Sequence, residues 1–214
     1  MAIIDNVLDI PRDLIRSLMR RVASWLHAVS GGRLSPNLVT YTGLIAHLPI
    51  AWLISQGYFG YAAFGLVFFG LFDTLDGELA RLQNKASNAG MLLDATTDRM
   101  KETILYAGVA YVFVLSGQPY YAVWAVTAVG GSILVSYVKA KGETAVKDLK
   151  LTPNQINRLF SDGLMRFEVR MALLVVALLL NYLAAAIVII TLLTWVTALG
   201  RLFKISRKLT AHED

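Results

Sequence analysis

The stretch FDTLDGELARLQNKASNAGMLLDATTDR, Phe72 to Arg99, sets four aspartates into a chain that is otherwise strongly apolar. Asp73 and Asp76 are three apart and share one helix face. Asp94 and Asp98 are four apart and share another. A short polar loop separates the pairs, and Gly77, Ala80, Arg81 and Gly90 lie between them. A carboxylate in a membrane-like setting is costly unless it is paired or bound to a cation. Four in one place therefore need a reason.

The composition around them is that of a membrane protein. Of 214 residues, 56% are hydrophobic and 16% charged, against roughly 25% charged in soluble domains. Mean hydropathy is +0.56. The chain reads as one polytopic domain with no large soluble appendage. A net charge of +5 fits a basic cytoplasmic face against anionic headgroups. No base-reading motif points to nucleic acid. The absence of cysteine excludes disulfides, thiolate catalysis and Cys-zinc sites. The start, MAIIDNVLDIPRD, is acidic and lacks a long apolar core, so it does not read as a secretory signal.

Residues 1–34 read as a juxtamembrane segment. A helix is expected from about Pro11 to Val29, with Asp9 as its N-cap. Leu14, Leu18, Val22, Trp25, Leu26 and Val29 form an apolar stripe, and Arg12, Asp13, Arg16, Arg20 and Arg21 lie mostly off it. That is the pattern of an amphipathic helix in the membrane interface; a helix packed on the rest of the protein is the alternative. Residues 35–208 carry six apolar stretches, at about 37–55, 59–80, 91–116, 119–140, 165–182 and 184–204, each near the ~20 residues a span needs. Residues 209–214 read as a tail. The expected fold class is therefore an all-α integral membrane protein of six transmembrane helices preceded by an interfacial helix. His47, mid-span, reads as a helix-contact residue, Glu78 as solvated, and residues 151–163 as containing a short interfacial helix that starts after Thr152 and Pro153 and ends at Gly163.

Charge orients the spans. The 20 basic residues avoid the connections after the first, third and fifth spans. They fall before the first span (Arg12, Arg16, Arg20, Arg21, Arg33), around the aspartate loop (Arg81, Lys85, Arg99, Lys101), around the long fourth loop (Lys139, Lys141, Lys147, Lys150, Arg158, Arg166, Arg170) and at the end (Arg201, Lys204, Arg207, Lys208). The positive-inside rule then makes both termini and the aspartate loop cytoplasmic. The aspartates would line a polar cavity open to the cytosol and sunk into the leaflet.

Clustered carboxylates need a counter-charge. One or two hard divalent cations with oxygen ligands supply it, and a two-metal site suits transfer at phosphorus. Without Cys or clustered His, zinc is disfavoured. Gly77 and Ala80 let a bulky ligand approach the helix, and Arg81 offers a fixed cation for phosphate. A fourth aspartate can act as general base. The residues alone thus point to metal-dependent phosphoryl chemistry at a membrane surface. An aspartate-lined ion pathway of a transporter is the competing class.

The spacing Asp73-x2-Asp76-Gly77-x2-Ala80-Arg81-x8-Gly90-x3-Asp94-x3-Asp98 resembles the complete signature of the CDP-alcohol phosphotransferase family. The run from Pro36 and Asn37 through Thr40 to Gly43 is similar to that family's P-N-x2-T-x2-G at the start of the first span. The resemblance implies a CDP-linked lipid donor, CDP-diacylglycerol or its archaeal ether analogue, and typically a homodimer with Mg2+ or Mn2+. It implies metal at Asp73, Asp76 and Asp94, completed by Asp98. Gly77, Ala80 and Arg81 would hold the cytidine nucleotide and its pyrophosphate, with Pro36, Asn37 and Thr40 on the same CDP-lipid side. Asp98 would deprotonate the acceptor hydroxyl, which attacks the lipid-bearing phosphorus and releases CMP.

For the acceptor, SYVKAKGE (136–143) resembles the SY-x-KARAE stretch of prokaryotic phosphatidylinositol phosphate synthases, and LDATTDR (93–99) their LDAT-x-DR. In that subgroup Lys139, an arginine at the start of the fifth span, and Arg201 would bind the acceptor's phosphate. The subgroup's E-R-x-E-R differs from Met165-Arg166-Phe167-Glu168-Val169-Arg170, so either Arg166 or Arg170 fits that position. Inositol 1-phosphate is the expected acceptor, with glycerol 3-phosphate as the alternative. The simpler reading of these cations is anchoring by snorkelling side chains, with Lys139 and Glu143 as an i,i+4 pair.

Overall fold

A computed structural model describes residues 2–146 and 165–213, with side chains over 13–146 and 165–211. The described residues contain no strand. In order they form α1 (Ala2–Val29), α2 (Pro36–Ser55), α3 (Phe59–Gly70), α4 (Phe72–Leu82), α5 (Asn88–Leu115), α6 (Pro119–Ala145), α7 (Phe167–Leu180) and α8 (Leu183–Glu213). The helix expected within 151–163, and Lys147, Lys150 and Arg158, lie outside the described residues.

Local chemistry sets the helix ends. Pro36 and Pro119 open α2 and α6, where a missing N–H costs nothing and the fixed φ is already helical. Ser87 caps α5, its Oγ accepting the Gly90 N–H at 3.2 Å. Asn84 and Asn181 close α4 and α7 with φ of 54° and 60°. This left-handed turn lets the Lys85 N–H reach the Ala80 carbonyl at 2.8 Å and the Tyr182 N–H the Ala177 carbonyl at 2.9 Å. Each expected apolar stretch coincides with a helix, the second being divided at Leu71 into α3 and α4.

Among the described residues, four stretches are long and apolar enough to cross a membrane: Pro36–Ser55, Phe59–Leu82, Pro119–Ala145 and Leu183–Ala211. α5 carries Asp94, Asp98, Arg99, Lys101 and Glu102 in its first half, and α7 is 14 residues long.

The chain divides into two compact units, Met1–Ile50 with Phe64–Lys101, and Ala51–Ala63 with Glu102–Asp214. In the first, α1 packs along α4: Met19 and Ala23 are buried with Val39, Leu75 and Leu79. The helix begins at Ala2, not near Pro11 as expected. Ile3, Ile4, Val7 and Leu8 continue the helical apolar spacing upstream, and that pattern outweighs the breaking signal of Asp9 and Pro11. The apolar side of α1 is also broader than expected. Val22 and Leu26 join the face against α4, while Leu14, Leu18, Trp25 and Val29 form a second, exposed row.

In the second unit, α6 lies against α8. Thr191 Oγ1 reaches the Trp124 carbonyl and Trp195 Nε1 donates to the Thr127 carbonyl, each at 3.0 Å. Gly131 permits this approach, because a Cβ there would sit 3.0 Å from the Trp195 ring. Gly131 of α6 thus serves packing within the chain.

Candidate active site

The four aspartates come from α4 and α5. The break at Leu71 places Asp73 in the first turn of α4, where the helix dipole favours negative charge. Asp76, one turn on, points to the same side and is buried. One carboxylate oxygen each from Asp73, Asp76 and Asp94 lie within 4.8 Å of one another. Asp94 is exposed and Asp73 half-buried, so this oxygen cluster has a covered side and an open one. Asp98, one turn beyond Asp94, has a buried Oδ1 that accepts no hydrogen bond from the described residues. Three hard donors at this separation, with a further unsatisfied carboxylate oxygen, suit Mg2+ or Mn2+.

Two contacts organise the cluster. Thr40, buried on α2, donates its hydroxyl to Asp76 Oδ2 at 2.5 Å. Thr40, grouped in the sequence with the lipid-nucleotide residues, therefore orients a metal-ligand candidate. Pro36, one turn earlier, is buried and Asn37 exposed. The second contact was not expected. Lys101 is fully buried, and its ammonium donates to Asp73 Oδ1 and lies 3.8 Å from Asp98 Oδ1. Its sequence signal was the i, i+4, i+7 spacing of Asp94, Asp98 and Lys101 along α5, which repeats one helix face. We expect Lys101→Met to tighten Mn2+ binding at least about tenfold, because a unit positive charge leaves the carboxylates. Calorimetric titration of the protein in detergent tests this; unchanged or weaker binding would show that the ammonium does not compete with metal.

Gly77 and Ala80 leave the outer face of α4 low, and the Arg81 guanidinium folds back over Gly77, where an added Cβ would lie 3.4 Å from Nη2. Glu78 is not solvated as expected: it is 4% exposed and takes ion pairs from Arg81, Arg20 and Arg16. The solvated reading failed because two of the three partners lie on α1, far away in sequence. His47 is buried and donates Nδ1–H to the Gly43 carbonyl at 2.7 Å, a partner within its own helix.

The expected acceptor residues belong to the second unit. Lys139 is half exposed, 3.8 Å from Glu143. Arg201 is buried, and its Nη1 points to the Val135 carbonyl at 3.4 Å. Arg166 is the residue preceding α7. Arg170 is wholly buried, with Nε on Glu102 Oε1 at 2.6 Å, Nη2 on Oε2 at 3.0 Å, and Nη1 on the Met165 carbonyl at 2.5 Å. Ser132 completes the group, donating to Glu102 and accepting from Arg170 Nη2 at 3.1 Å.

The described helices and site define a class: an all-helical protein suited to a membrane, with an oxygen-only carboxylate site for a divalent cation beside a fixed arginine. The chain belongs to the CDP-alcohol phosphatidyltransferase family, whose model matches residues 33–200. It is 29% identical over 128 residues to phosphatidylinositol phosphate synthase of Cutibacterium acnes, a match covering 58% of this chain and 61% of that protein. The matched stretch thus spans about three fifths of that relative. It is 24% identical over 198 residues to archaetidylinositol phosphate synthase of Pyrococcus horikoshii, covering 92% of this chain and 96% of that one. The fold is similar to that of Mycobacterium tuberculosis phosphatidylinositol phosphate synthase. With CDP-DAG bound, that structure matches at TM-score 0.75 and 22% identity, over 88% of this chain and 94% of that one. In complex with manganese and citrate it matches at TM-score 0.70 and 23% identity, over 87% and 88%.

Proposed function

We propose that the protein transfers a phosphatidyl-type group from a CDP-lipid to the hydroxyl of a polyol phosphate, with release of CMP, in a reaction dependent on Mg2+ or Mn2+. The observation that carries this reading is the convergence of Asp73, Asp76 and Asp94 oxygens within 4.8 Å inside a complete family motif. A bound divalent cation supplies charge neutralisation at the pyrophosphate oxygens. Asp73, Asp76 and Asp94 hold it, and Thr40 keeps Asp76 in orientation. Arg81, over Gly77, binds the pyrophosphate, with Ala80 leaving room for the nucleotide. Asp98 accepts the proton of the acceptor hydroxyl. The hydroxyl oxygen forms a bond to the lipid-bearing phosphorus, and the bond to the CMP oxygen breaks.

Inositol 1-phosphate is the acceptor best supported, since relatives of both the bacterial and archaeal type are inositol phosphate lipid synthases. Lys139, Arg201 and one of Arg166 or Arg170 bind its phosphate. Residues 35–208 form six spans, with residues 1–34 on the membrane surface and both termini and the aspartates on the cytosolic side of the cytoplasmic membrane. The alternation of basic connections supports this orientation, and the family resemblance supports a homodimer. The test is CMP release by the purified protein with CDP-diacylglycerol and its ether analogue, offered inositol 1-phosphate, glycerol 3-phosphate, free inositol or serine. Release with inositol 1-phosphate alone is expected; release with glycerol 3-phosphate alone would overturn the acceptor assignment, and substrate flux across sealed vesicles without CMP would favour a transporter.

A further inference from the structure

Glu78 is surrounded by more positive charge than one carboxylate balances. Its Oε1 takes Arg81 Nη2 at 2.7 Å and Arg16 Nε at 3.6 Å, and its Oε2 takes Arg20 Nε at 3.3 Å. The carboxylate is 4% exposed, whereas the three arginine side chains are 50 to 69% exposed. Exposed ion pairs taken singly contribute little. Here the common acceptor is buried beneath its three partners, so its loss would leave three guanidinium groups to repel one another at close range.

The arrangement also has a direction. Glu78 and Arg81 are three apart on α4, and their contact holds the guanidinium back over Gly77. Arg16 and Arg20 are one turn apart on α1, on a stretch that Met19 and Ala23 fix against Leu75 and Leu79. An arginine has several rotatable bonds and loses rotamer entropy when ordered. A buried carboxylate that orders it in advance removes much of that cost from ligand binding.

We propose that Glu78 is a positioning residue for the nucleotide: it sets the Arg81 guanidinium in place before the pyrophosphate arrives, and through Arg16 and Arg20 it makes α1 part of that support. This rests on the assignment of Arg81 to the CDP moiety. It assigns α1 a role beyond lying on the membrane, since Arg16 and Arg20 affect nucleotide affinity without touching nucleotide.

The experiment measures binding of soluble CDP with Mn2+ to the full chain in detergent, by calorimetry. Glu78→Gln should weaken CDP about tenfold, and the Arg16→Gln/Arg20→Gln double variant about threefold. Neither should change Mn2+ binding without nucleotide by more than about twofold. In an Arg81→Gln background, Glu78→Gln should add no further loss, the non-additivity expected if it acts through Arg81. Undiminished CDP affinity in Glu78→Gln, alongside a loss of more than about tenfold in Arg81→Gln, would overturn the proposal and leave the nucleotide assignment standing. No loss in Arg81→Gln would overturn that assignment itself. Should Glu78→Gln fail to fold, the exposed α1 double variant decides: unchanged CDP affinity there refutes the role of α1, and additive losses with Arg81→Gln refute the coupling.

Discussion

Asp98→Asn will lower CMP release by about a thousandfold while Mn2+ binding changes by less than about tenfold. General bases contribute typically 10²–10⁴-fold, and asparagine keeps the shape while abolishing the proton acceptor. Asp73, Asp76 and Asp94 bring one oxygen each within 4.8 Å of one another, so the metal would keep three of its ligands. Asp76→Asn will behave differently. It removes one of three charges from the oxygen cluster and alters the acceptor of the Thr40 hydroxyl, so both Mn2+ binding and turnover should collapse together. Turnover with 0.1 to 10 mM Mn2+ (a range of about 100-fold) separates the cases: excess metal should recover part of the Asp76→Asn rate and none of the Asp98→Asn rate. A fully active Asp98→Asn enzyme would refute the base assignment.

The second large effect concerns the acceptor. Lys139→Ala and Arg201→Ala should each raise KM for inositol 1-phosphate by about 10- to 100-fold, the range of a charge-assisted hydrogen bond of about 1.5–3 kcal/mol. KM for the CDP-lipid should move by less than about threefold. Equal effects on both substrates would refute a phosphate-binding role. Arg170→Ala should fail in another way. It removes the arginine of a buried ion pair with Glu102, and breaking such a pair by removing one partner costs about 3–5 kcal/mol. Its loss of activity should therefore track a lowered unfolding temperature. Intact stability with a raised acceptor KM would instead place Arg170 on the acceptor. This contrast separates the two arginines that the sequence left equivalent.

What was legible in the sequence was what is local. Pro36, Pro119, Asn84 and Asn181 mark helix ends through their own backbone preferences. Each apolar stretch overlaps a helix, although α8 runs on to Glu213, past the expected end near 204 and through most of the residues read as a tail. The aspartates were legible because their three- and four-residue spacings assign a helix face without reference to any partner. What remained hidden depends on residues distant in the chain. Glu78 read as solvated because Arg16 and Arg20 approach it from α1. Lys101 read as one more basic residue near a membrane boundary, although its spacing from Asp94 and Asp98 carried a faint signal. Arg170 was indistinguishable from Arg166 until Glu102 and Ser132 were seen to enclose it. The early start of α1 is hidden because Asp9 and Pro11 carry the local signal of a helix start within a helix that begins at Ala2.

Under the proposed function, Asp73, Asp76 and Asp94 hold the divalent metal at which a CDP moiety is bound. The most direct measurement is anomalous scattering from a crystal of the protein grown with Mn2+ and CDP. A manganese peak is expected among the carboxylates of Asp73, Asp76 and Asp94, with the nucleotide pyrophosphate beside it and Arg81 on its phosphate oxygens. A nucleotide bound elsewhere, or manganese absent from these three carboxylates at saturating concentration, would contradict it.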